Sequence, residues 1–156
     1  LFAGEELLRQ KRGVRNSYKS VDTVNAIDWR GKALHFDVFT YLRRLIEMRK
    51  AHPAFRMSTA AQVKKHMQFL NVEGACAVAF TLNGKAVGDK WERILVVLNA
   101  EKRMVRVDVP RADYTVVCRD GRMHLSNREH EVRSSFVVAP QSALIAWGKL
   151  DGLPAF

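Results

Sequence analysis

From residue 57 to residue 147 the chain reads as a succession of short β-type runs separated by turn-forming pairs, which is the pattern an antiparallel sandwich requires. The runs fall at residues 66–72, 76–82, 93–99, 104–109, 114–119, 134–138 and 142–147. Between them Glu73-Gly74, Asn83-Gly84 and Asp120-Gly121 supply residues that tolerate a positive φ. Ser58 or Thr59 is placed to cap a brief helical turn through Lys65 before the first run.

Alternation within the runs distinguishes half-buried from central strands. Val105, Val107 and Val109 alternate with Arg106 and Asp108, so that strand has one wet face. Residues 94–98 are apolar on both parities and require cover on both sides. Trp147 and Phe136 lie in apolar runs and are expected in the core rather than as sugar platforms. The two cysteines lack the spacing of a zinc or redox motif. Cys76 shares parity with Val78, Phe80 and Leu82, and Cys118 with Tyr114 and Val116, so both are expected as buried thiols facing a core.

Residues 36–51 carry the other period. Phe36, Phe39, Leu42, Leu45, Ile46 and Arg49 follow steps of three and four, giving one largely apolar face, while Arg43, Arg44, Glu47 and Lys50 stay wet. Asp37 near one end, and Arg49, Lys50 and His52 at the other, have the polarity a helix dipole favours, and Pro53 stops the helix.

Residues 2–29 have almost no periodicity and read as one long loop, of a length that is usually functional when ordered. Tyr18, Ile27 and Trp29 are its candidate apolar anchors. Asn16, Ser17, Asp22, Asn25 and Asp28 offer short donors and acceptors that suit a neutral, hydroxyl-rich ligand such as a sugar, and Tyr18 and Trp29 offer flat faces. The alternative is that these residues only make local turns.

The stretches GEELLRQKRG, NSYKS, VDTVNAIDW and LIEMRKAHPAFRM, in this order, resemble the pullulanases of the α-amylase superfamily of glycoside hydrolases. In that family these blocks follow the eighth strand of a (β/α)8 barrel and lead into a C-terminal β-sandwich. The resemblance thus implies a mainly β chain: residues 1–56 as the end of a barrel (rim loop and last helix), 57–150 as an all-β sandwich domain, and 151–156 as a tail. It also implies a C-terminal piece of a debranching enzyme acting on α-1,6 linkages of pullulan, starch or glycogen. An isoamylase, a glycogen debranching enzyme, an α-amylase or a free carbohydrate-binding module is the alternative.

At 156 residues, 47% of them hydrophobic, the chain can bury one core but is too short for a barrel of about 250 residues. The family's nucleophilic Asp, general-acid Glu and transition-state Asp belong to earlier barrel strands, so no catalytic residue is expected here. Glu5 and Glu6 are adjacent, whereas a retaining glycosidase holds two carboxyls about 5 Å apart across the scissile bond; one of them is expected to brace the loop through an Arg or a backbone amide. The candidate substrate contacts are Asn16, Tyr18, Asp22 and Asn25. No cofactor and no metal are implied. The expected partner is an α-glucan, met through the complete enzyme. The net charge of +10 raises nucleic acid as a rival, but the charges are scattered, and the densest run, Arg9, Lys11, Arg12 and Arg15, adjoins no basic helix or aromatic RNA-binding motif, so none is expected. No signal peptide or membrane-spanning apolar run is found.

Overall fold

The computed structural model describes residues 2–124 and 129–149. The elements run α1 (Asp22–Asn25), α2 (Gly31–Leu34), α3 (Phe36–Ala51), α4 (Ala60–His66), β1 (Met67–Leu70), β2 (Ala77–Asn83), β3 (Arg93–Asn99), β4 (Val105–Arg119), β5 (Arg122–Met123), β6 (Glu129–Val138) and β7 (Ser142–Gly148). The proposed tail, residues 151–156, lies outside the described residues. The chain divides into two compact units, Leu1–Ile46 and Glu47–Phe156, with the division inside α3.

The second unit is mainly β. Seven strands form a sheet in the order β1-β2-β3-β7-β4-β5, with β6 also paired to β4, and every pairing is antiparallel. Sandwich packing follows from the length of β4. Its first half, with Val105, Val107 and Val109 buried, pairs with the end of β6, and its second half pairs with β7. Those valines, with Phe136 and Val138 of β6, pack on Ala79, Leu95, Val97, Leu144 and Ala146 of the neighbouring strands. Alternation of apolar and polar residues in the first half of β4 thereby becomes one dry and one wet face.

Residues 104–109 and 114–119 read as two strands in the sequence but form one. Pro110, which has no N–H to pair, sits where the register between β4 and β6 shifts, between Asp108 and Ala112. The bend is held by the Tyr114 hydroxyl, which donates to the Pro110 carbonyl at 2.9 Å. Its ring stands edge-on to Phe136, centroids 5.3 Å apart, and burial pushes the phenol pKa up.

β3 is the central strand expected for residues 94–98. Leu95 and Val97 face the core, while Ile94 and Val96 are buried on the opposite face; Leu98 is half open. Ile94 stands opposite Leu82 on β2 and Trp147 on β7. Trp147 stacks on Trp91, centroids 6.1 Å apart, and Trp91 stacks on His52 at 3.5 Å, so aromatic rings cover that face.

Cys76 departs from the expected burial. It is exposed, while Cys118 is buried, and the two form no disulfide. The strand begins at Ala77, and its core parity is that of Ala77 and Ala79, so Val78 on the Cys76 parity is itself half open. Asp120 and Gly121 do adopt the paired left-handed conformation, φ 51° and 71°, that closes the β4–β5 hairpin. Gly84 does not: its φ is −67°, and the glycine is required because a Cβ there would run into the Trp91 carbonyl oxygen.

Helix α3 occupies the expected span, with Asp37 in its first turn and Arg49 and Lys50 in its last. Its C-terminal carbonyls are satisfied by Arg56, whose Nε and Nη2 donate to the Arg49 and Lys50 oxygens, each at 3.0 Å. Thr59 caps α4, its hydroxyl accepting from the Gln62 N–H at 3.2 Å.

Candidate functional site in the N-terminal loop

The first unit places the four candidate contacts on one ordered loop. Order there comes from polar closure rather than from the aromatic anchors expected. Tyr18 and Trp29 are 75% and 69% exposed, so neither anchors the loop, and Ile27 is half-buried. The buried anchor is Leu7, whose backbone and Cβ lie against Gly31 so closely that a Cβ on Gly31 would come within 3.3 Å of them.

The polar closure centres on Asn25. Its Nδ2 donates to the carbonyls of Ser17 and Ser20, both at 2.8 Å. Its Oδ1 accepts from Lys11 Nζ at 2.6 Å, and its main-chain oxygen accepts from the Arg9 guanidinium. Arg9 also donates to the Ala3 carbonyl at 3.2 Å, tying residues 3, 9 and 25 together. Loss of solvent, and then the charge of Arg9, push the Lys11 pKa down. Two members of the basic run are thus spent within the loop.

Gly4 lets Arg9 in. With φ at 94°, it is in the left-handed region, and a Cβ would sit 2.7 Å from Arg9 Cδ. Glu5 and Glu6 both brace this end: Glu5 Oε2 accepts from the Phe2 N–H and Glu6 Oε2 from the Gly4 N–H, each at 3.2 Å. That is the backbone-amide role expected of one of them, extended to both.

Against this frame the other candidates point outward. Ser20 N–H donates to the Ser17 carbonyl at 2.9 Å, which closes a turn with Tyr18 and Lys19 at its centre. Asn16 Oδ1 accepts from the Tyr18 N–H at 3.4 Å, and Lys19 Nζ lies 5.4 Å from the centroid of the Tyr18 ring. Asn16, Tyr18 and Asp22 are all exposed, with Asp22 opening α1. Asp28 is engaged instead with Arg30, Oδ2 to Nη2 at 2.7 Å, and this hydrogen-bonded guanidinium lowers the carboxyl pKa to about 2. Asn16, Tyr18 and Asp22 therefore present an amide, a flat ring and a carboxylate to solvent from a loop that Asn25 closes from behind.

A second polar cluster, in the other unit, escaped the sequence reading. His52 Nδ1 and Asp89 Oδ1 lie 2.7 Å apart, both side chains almost wholly buried. Asp89 Oδ2 accepts from the Ala54 N–H at 3.1 Å, and Oδ1 also accepts from the Trp91 N–H at 2.9 Å. One carboxylate thus satisfies three buried donors and joins the end of α3 to the loop between β2 and β3. In sequence His52 reads only as a basic residue at a helix end, and no motif links it to a partner 37 positions away.

The chain is similar to known proteins over most of its length. The family description "Pullulanase, all-beta domain" matches residues 63–122. The pullulanase of Bacillus subtilis (strain 168) is 35% identical over 119 residues, covering 76% of this chain and 16% of that protein. An isoamylase of a Flavobacterium species is 30% identical over 129 residues, covering 70% of this chain and 17% of its own length. Among solved structures, the pullulanase from Bacillus acidopullulyticus superposes with a TM-score of 0.85 at 38% identity, over 92% of this chain and 18% of that one. The type I pullulanase of Bacillus subtilis str. 168, solved in complex with maltose, superposes with a TM-score of 0.82 at 31% identity, over 92% of this chain and 20% of that one. The chain thus spans a fifth or less of the length of each of these relatives. Residues 63–122 match a pullulanase all-β domain, and over most of its length the chain is similar in sequence and fold to one part of these pullulanases.

Proposed function

We propose that this chain serves a debranching glycoside hydrolase of pullulanase type, one that cleaves α-1,6-glucosidic linkages in pullulan, starch or glycogen. Residues 1–56 close the catalytic barrel with its rim loop and last helix, and residues 57–150 form the stabilising all-β domain. The catalytic carboxylates come from other parts of such an enzyme. The observation that carries this reading is the outward display of Asn16, Tyr18 and Asp22 on a loop internally satisfied through Asn25. Loops that follow barrel strands build the active face of such enzymes. An amide, a carboxylate and an aromatic face are the groups that bind vicinal hydroxyls and the apolar side of a sugar ring. The maltose complex of the Bacillus subtilis relative supports an α-glucan as the ligand class.

Alanine at Tyr18 or Asp22 tests the reading in the full-length protein. Either change should lower kcat/KM on pullulan by about 1–3 kcal/mol equivalent, roughly 5- to 150-fold, with Tm nearly unchanged because both side chains are exposed. A fall in Tm with kcat/KM per folded molecule intact would make them structural braces and end the binding assignment.

A further inference from the structure

We propose that Asn25 is a positioning residue for glucan recognition, acting through Tyr18: its single amide group holds the Ser17–Ser20 turn in the conformation that presents the ring. The inference rests on the glucan reading of the loop and adds how that loop is set.

Two carbonyls, of Ser17 and Ser20, bracket Tyr18 and Lys19, and each accepts one hydrogen of Asn25 Nδ2 at 2.8 Å. The Ser20 N–H to Ser17 carbonyl bond closes the same turn from within. A pair of converging carbonyl oxygens demands a donor, and a primary amide supplies two hydrogens from one atom. Asn25 is fixed in turn by Lys11 on its Oδ1 and by Arg9 on its main-chain oxygen. Every polar atom of its side chain is therefore engaged inside the loop, which leaves the sugar to the residues it supports. A turn ordered before binding does not lose its conformational freedom to the ligand, so the gain appears as affinity.

Aspartate is the discriminating substitution. It keeps the size of Asn25 and can still accept from Lys11, but it turns a carboxylate oxygen toward two carbonyl oxygens and loses both donors. In the full-length protein Asn25→Asp should raise KM for pullulan about 5- to 30-fold and act on KM more than on kcat. The decisive reading is a double-mutant cycle. Because Asn25 acts through the ring, adding Asn25→Asp to Tyr18→Ala should cost little more than Tyr18→Ala alone.

Additive losses, or an unchanged KM in Asn25→Asp, would overturn the positioning role while leaving the glucan reading in place. Tyr18→Ala with unchanged kcat/KM would overturn both. Should Asn25→Asp fail to fold, Lys11→Met, which removes only the Oδ1 contact, carries the same cycle. It should show a smaller rise in KM, reversed by Lys11→Arg, and the same lack of additivity with Tyr18→Ala; additivity there overturns the role equally.

Discussion

Asp in place of Ile94 abolishes cooperative folding of the β region. Ile94 has no exposed surface, and it stands between Leu82 and Trp147, the latter stacked on Trp91. None of its cross-strand neighbours offers a cation. A carboxylate placed there without a partner costs several kcal/mol, which consumes most of a total stability of roughly 5–15 kcal/mol. Leu98 is the internal control, on the same strand and the same face but 48% exposed. Leu98→Asp should cost about 1 kcal/mol or less. Urea unfolding followed by circular dichroism reads both. An Ile94→Asp protein that melts with the parent would remove β3 from the centre of the sheet.

The second large effect is expected at Asp89. Its carboxylate accepts from His52, Ala54 and Trp91 in a site closed to solvent, so Asp89→Ala strands three buried donors at once. Removing one partner from such a buried set costs about 3–5 kcal/mol, or roughly 6–20 °C in Tm for a chain of this size. Asn at this position retains one acceptor oxygen and turns an amide N–H2 toward another donor, so its Tm should fall between wild type and Ala. Calorimetry on the three proteins gives the order. An Asp89→Ala protein as stable as the parent would show that these bonds do not hold the end of α3 in place.

Much of the fold could be read from local chemistry. Helix α3, the capping role of Thr59 and the span of β3 follow from periodicity and from residues within a few positions, which is the range over which such signals act. The Asp120-Gly121 hairpin is legible for the same reason. What was not legible depends on contacts distant in sequence. The continuity of β4 is set by Tyr114 reaching back to Pro110 while β6 slips its register, and neither run announces this alone. Cys76 shares parity with apolar residues, but the core lies on the parity of Ala77 and Ala79, where small residues leave a weaker signal than Val78 or Phe80. In the N-terminal loop the sequence pointed to aromatic anchors that the structure leaves exposed. Tyr18 and Trp29 attract attention because they are large, yet Arg9, Lys11 and Asn25 do the closing through main-chain carbonyls, which carry no side-chain signature. The His52–Asp89 pair was missed for a related reason: burial, which gives the pair its weight, is a property of the folded chain.

The division of labour proposed for this chain, glucan contact and support without the bond-breaking carboxylates, meets its most direct test in reducing-end release from pullulan. The assay is run side by side on the full-length protein and on the 156-residue chain. Cleavage by the retaining route needs two carboxyls about 5 Å apart across the linkage, and Glu5 and Glu6 are instead bonded to the Phe2 and Gly4 amides. The account predicts release by the full-length protein and none above the blank by the 156-residue chain. Turnover by that chain that survives re-purification, or a full-length protein that leaves pullulan intact, would contradict it.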